Sequence, residues 1–178
     1  MARRWISAVV AAVAALGLQA SPGLANDSTK MLHKMVGTWK GNGHLAYTQE
    51  WTFNFKCEIE GKPGIIDRQV DLMGRCWSGP IWSSMGAALR YNPRTKSYVG
   101  KFRDGTSTFV IDIAGKRSGQ SMALDLSQGH QRGALDMTFQ DQDSLVLSVA
   151  IVDPRTKARR KVVDLNLERQ PTRLSRLD

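Results

Sequence analysis

The residues of this chain that could carry catalysis are few, and none is spaced for it. His33, His44 and His130 fall on different segments at no metal-ligand spacing, and each reads as a surface residue. No nucleophile elbow, Ser-x-x-Lys or His-Glu-x-x-His is present. The carboxylate pairs Asp67/Asp71 and Asp136/Asp141 are explained by outward-facing alternation. No catalytic residue and no metal site is assigned, and the chain is read as a non-enzyme.

Binding chemistry has more to work with. Eleven aromatic residues lie between Trp39 and Phe109, whereas later segments use Leu, Val, Met and Ile. An aromatic wall facing an aliphatic one suits an apolar or amphipathic ligand, although inward aromatics also make a filled core. The candidates for a pocket wall are Trp51, Phe53, Phe55, Tyr91, Phe102 and Phe109, with Arg68 on the inward parity of its strand. A buried guanidinium there would need a carboxylate or phosphate partner, such as a fatty acid or phospholipid. The competing reading is a strand-end Arg reaching solvent.

Two further features concern the cysteines and the charge. Cys57 and Cys76 are an even count, which in an oxidising compartment points to a disulfide. A turn centred on Lys62-Pro63 would set Cys57 opposite about Arg68, some eight residues short of Cys76. That is roughly 26 Å of strand, so a straight hairpin would keep them apart, and pairing would need a long loop or a strong bend. The formal charge is +9, and residues 155–178 hold eight basic residues against three acidic ones. Arg155, Lys157, Arg159, Arg160 and Lys161 form its densest cluster. Such a cluster fits an anionic membrane surface or an envelope polymer, or else a solvated turn.

Compartment and elements follow from patterning. Met1-Ala2-Arg3-Arg4 is a basic opening to an apolar run, Trp5 to Leu18, that is short of the roughly 20 residues a spanning helix needs. Small residues then allow cleavage after Ala20 or, better, after Ala25. Residues 1–25 are read as a signal peptide, which implies export to the periplasm and makes nucleic acid an improbable partner. A short helix is expected near Ser28 to Met35. Period-two alternation follows, with Trp51, Phe53, Phe55, Cys57 and Ile59 as its clearest case. The expected strands are 37–46, 49–60, 65–77, 81–91, 97–104, 106–114, 119–127, 132–140, 143–152 and 159–169. Short turns join them, Asp104-Gly105 being the best two-residue hairpin candidate, so the sheet is antiparallel. Closure into a barrel removes two long edges; a two-sheet sandwich is the alternative.

Val36-Gly37-Thr38-Trp39-Lys40-Gly41 resembles the first strand of the lipocalin and fatty-acid-binding superfamily. The resemblance implies that Trp39 closes one barrel end, stacked with a basic residue of the last strand, for which Arg169 is the candidate. Gly86 to Leu89, Tyr91-Asn92-Pro93, Tyr98 and Asp104-Gly105 are similar to bacterial lipocalin-like domains of unknown function. Nitrobindin-like haem barrels open similarly, but hold haem through a His near the last strand. Lys161 to Gln170 contains none, so no haem or other cofactor is expected. Gly43 to Gln49 is also too short for the two-helix lid of fatty-acid-binding proteins.

The sequence therefore reads as an all-β chain: a single up-and-down barrel of about ten strands over 26–170, with a short N-terminal helix and a tail at 171–178. Its expected role is to bind a small apolar or amphipathic molecule in the periplasm. The alternative is an envelope interaction protein with a filled core and a basic contact surface.

Overall fold

The computed structural model describes residues 23–46, 48, 50–105 and 110–171. One helix, α1 (Gly23–His33), precedes ten strands. They are β1 (Gly37–Ala46), β2 (Thr52–Pro63), β3 (Gln69–Ser78), β4 (Ile81–Asn92) and β5 (Ser97–Asp104). The second half comprises β6 (Val110–Ser118), β7 (Ser121–Gln128), β8 (Gln131–Phe139), β9 (Ser144–Val152) and β10 (Arg159–Arg169). Each strand pairs with its chain neighbours, and β1 also pairs with β10, closing the barrel. Every pairing is antiparallel. Closure satisfies both backbone edges that an open sheet would expose.

Inward residues follow the period-two pattern. Phe53, Phe55, Cys57 and Ile59 on β2 share one face, and Leu145, Leu147 and Val149 do so on β9. Three turns are two-residue hairpins: Gly79-Pro80, Gly119-Gln120 and Gly129-His130. In each the glycine stands first with a positive φ (58, 59 and 54°), the position that a type II′ turn reserves for glycine. Pro93-Arg94-Thr95-Lys96 and Pro154-Arg155-Thr156-Lys157 take one turn form at opposite barrel ends. Lys96 (φ 51°) and Lys157 (φ 61°) are left-handed in both. The side chains of Asn92 and Asp153 accept the backbone N–H of Arg94 and Arg155 (3.0 and 2.8 Å).

Four boundaries differ from the expectation. The β2–β3 turn lies at 64–68, not on Lys62-Pro63, because Pro63 remains in register with Val70. Gly64 N–H donates to Gln69 O across that turn (3.0 Å). Cys57 and Cys76 then become direct cross-strand partners, with Cα atoms 4.1 Å apart, and form a disulfide. A straight hairpin carries the bridge after all. Second, Asp104-Gly105 is not a two-residue hairpin, since Arg103 pairs with Val110. Third, β2 begins at Thr52, so Trp51 precedes it. Fourth, α1 starts at Gly23, upstream of the Ser28 expected, and ends at His33.

The helix caps one end of the barrel. Met31, Leu32 and Met35 are buried there with Trp39, Tyr98 and Phe139. Tyr98 Oη donates to Ser28 O (2.9 Å), and an Arg117 guanidinium N–H donates to Asp27 O (2.5 Å). Two polar anchors from β5 and β6 thus hold α1 over the apolar end. The turns β1–β2, β3–β4, β5–β6, β7–β8 and β9–β10 all lie at the other end, which has no helix across it among the described residues.

Candidate functional site

Ten strands give a circumference too wide for side chains to fill the interior completely. The result is a cavity of about 660 Å³ that runs from the helix-capped end to the open rim. Its floor is Met35 and Trp39, and its rim includes Phe53, Ile81 and Trp82. Phe55 and Phe102 form an aromatic side; Leu124, Leu135 and Leu147 belong to the aliphatic side opposite. Among the described residues, Ser78 and Ser83 carry the only hydroxyl side chains lining it, and no charged group does so. The cavity also exposes the Cys57–Cys76 bridge on its wall.

The floor is fixed by a compact polar knot. Trp39 Nε1–H donates to Met35 O (3.0 Å), which seats the indole under the end of α1. Arg169, paired with Trp39 in register, lies with its guanidinium carbon 4.3 Å from the indole centroid. It also donates to Val36 O and to Lys34 O (2.6 Å), and pairs with Asp143 (3.2 Å). The stack anticipated between these two residues is thus present, and it joins the last strand to the chain leaving α1.

The other candidates are distributed unevenly. Phe53, Phe55 and Phe102 line the cavity. Trp51 does not: it stands ahead of β2, 63% exposed, edge-on to Phe53. Arg68 is excluded as well, because it occupies the β2–β3 turn with φ 73° and an exposed side chain. Tyr91 packs on Tyr98 beneath the helix, outside the cavity wall. Phe109 lies outside the described residues. Ile81, Met85 and the disulfide are wall elements that the sequence reading missed. Ile81 and Met85 carry the same parity as Leu89, a signal that was available but was obscured by the small residues between them.

The basic cluster occupies the β9–β10 hairpin at the open end. Arg159 pairs with Asp136 (3.6 Å) and Lys161 with Asp164 (2.8 Å), all on the outer parity. Not every charge faces outward, however. A bulge between Lys161 and Val163 shifts the register, so Arg160 stands opposite Ile151. That is the cavity-facing parity of β9, and it puts an exposed Arg160 at the rim. Asp153, at the hairpin's start, accepts N–H bonds from Arg155 and Thr156 (both 2.8 Å). Those bonds hold its carboxyl below the usual carboxylate range, Thr156 contributing most.

The wall offers no imidazole for a haem iron. His33, His44 and His130 are all exposed, and His44 shares a hydrogen bond with Asn54 on the outer face (3.2 Å). Among the described residues no group of three or more His, Cys, Asp or Glu is arranged to hold a metal ion.

No family model and no curated protein matches this chain in sequence. Solved structures do match in fold. Rv2717c from M. tuberculosis superposes with a TM-score of 0.64 at 15% identity, over 81% of this chain and 98% of its own. The S-type phycobiliprotein lyase CPES from Guillardia theta gives 0.57 at 10% identity, over 83% and 97%. At such identities the likeness is one of fold alone.

Proposed function

We propose that this chain is an exported, non-catalytic barrel that binds one small apolar or amphipathic molecule inside its cavity. The cavity itself carries the reading. A volume of about 660 Å³ with an almost wholly apolar wall falls within the range of small-molecule sites, about 300–1,000 Å³. Water gains few hydrogen bonds there, so an apolar body entering the space is favoured. A charged head would find no partner on the wall and must remain at the rim, near Arg160. One of the structural neighbours is named a phycobiliprotein lyase, which is compatible with a ligand-binding barrel.

The cavity weighs against the alternative, an envelope interaction protein with a filled core, which draws its support from the basic hairpin. Native mass spectrometry of protein recovered from the periplasm of expressing cells, followed by organic extraction, tests the proposal. A single adduct per chain, released on denaturation as an apolar or amphipathic compound, is expected. A ligand-free mass, both as isolated and after incubation with mixed cell lipids, would contradict it.

A further inference from the structure

We infer that the open rim of the barrel docks on an anionic lipid bilayer and that the cavity is loaded from it. The inference rests on the cavity reading and extends it to the source of the ligand. Three neighbouring hairpins carry the relevant side chains. In the order around the barrel, β9–β10 adjoins β1–β2 through the β10–β1 pairing, and β1–β2 adjoins β3–β4. At the tips of the last two stand Trp51, Phe53, Ile81 and Trp82, exposed by 63, 42, 73 and 56%. Tryptophan favours the headgroup level of a membrane, where its ring is apolar and its N–H stays wet. Arg75, 4.6 Å from the Trp82 ring centroid, adds a cation beside one of them.

The adjacent hairpin supplies the charge. Arg155, Lys157 and Arg160 lie on it at the same barrel end, as do Arg159 and Lys161, which pair on the outer face with Asp136 and Asp164. Among the described residues, Glu50 and Asp104 are the acidic residues at this end's other tips, and Asp153 stands at the start of the basic hairpin itself. Half of the rim is thus an apolar crest bordered by cations, the pairing that an interfacial site on anionic lipid requires. Phe53, Ile81 and Trp82 belong both to this crest and to the cavity wall. An acyl chain leaving the bilayer would pass from one apolar surface to the next without crossing water.

The opposite end provides the comparison. Ile65 and Ile66, exposed by 100 and 58%, stand beside Arg68 in the β2–β3 turn. That end has exposed apolar and basic residues too, but α1 closes the barrel mouth there, so they do not lead into the cavity.

Cosedimentation with phosphatidylglycerol/phosphatidylcholine and pure phosphatidylcholine vesicles tests the docking, with brominated lipid as a quencher of tryptophan emission. Three variants are compared with the parent: Trp51→Ser/Ile81→Ser/Trp82→Ser, Arg155→Gln/Lys157→Gln/Arg160→Gln, and Ile65→Ser/Ile66→Ser. The parent should bind anionic vesicles, be quenched there, and release as salt rises from about 0.1 to about 1 M. The first two variants should each lose about tenfold or more in partitioning, and the third should stay within about twofold of the parent. Rim variants that bind like the parent, or a third variant that falls equally, would overturn the inference. Near-ultraviolet circular dichroism confirms that each variant keeps the parent fold. Uptake of a fluorescent fatty acid in vesicle-free buffer reports the cavity separately. A protein that takes up probe but ignores vesicles fails on docking alone, and one that takes up none fails on the cavity.

Discussion

Arg169 is held by the indole face of Trp39, by the carbonyls of Lys34, Val36 and Gln142, and by the carboxylate of Asp143. Removing Trp39 would leave that guanidinium without its apolar support and open the floor of the cavity. Trp39→Ala should therefore cost about 3–5 kcal/mol in a urea melt, whereas Trp82→Ala, at an exposed rim position, should cost less than about 1 kcal/mol. Equal losses would remove the structural role assigned to the floor. Tyr98 gives a pH-dependent test of the helix cap. Burial, partly offset by its hydrogen bond to Ser28 and by Arg117, pushes its hydroxyl above the ordinary tyrosine value. A raised folded value means the unfolded chain ionises first, so the Tyr98 contribution is complete below the free-tyrosine range. It is lost as pH climbs from that range through the raised folded value. Tyr98→Phe should cost about 1 kcal/mol at neutral pH, and the gap between variant and parent should narrow by about pH 10.5 in paired urea melts. A gap that widens would contradict the cap.

The β2–β3 hairpin is the element where sequence and structure part most instructively. Gly61-Lys62-Pro63-Gly64 has turn composition, yet its first three residues belong to the strand. A Cβ on Gly61 would strike the Met35 carbonyl, so glycine there clears room for the chain leaving α1 instead of making a turn. Pro63 ends β2 opposite Val70, a strand-end site where a missing N–H is tolerated. The parity of Val70 and Leu72 was legible all the same, because inward alternation does not depend on where a turn falls. The register was not legible, and the bridge depends on register. Closing a 19-residue separation should be worth about 3 kcal/mol in chain entropy. Cys57→Ser/Cys76→Ser should lower the urea midpoint accordingly while leaving the closed fold intact by far-ultraviolet circular dichroism. Unchanged stability would show that the hairpin needs no staple.

At the scale of the molecule, period-two alternation named the inward faces and the strand count named a closed barrel, but neither states how far apart opposite walls stand. That distance follows from strand number, tilt and stagger acting together, and no single segment records it. Whether an aromatic such as Phe55 meets Leu124 across the centre or leaves space between them was therefore open until the walls were placed. The bulge that turns Arg160 toward the rim was hidden for the same reason, since it appears only in the pairing of β10 with β9. The account's central claim is that the space between those walls holds a ligand. Ala87 lies on the wall, paired with Leu72 and Phe102, and Ala87→Trp would put an indole into the space without crossing the barrel wall. Titration of a fluorescent fatty acid into delipidated protein should saturate at about one probe per chain, and Ala87→Trp should weaken binding by about tenfold or more. Binding that is unchanged in Ala87→Trp, or absent from the parent, would contradict the claim.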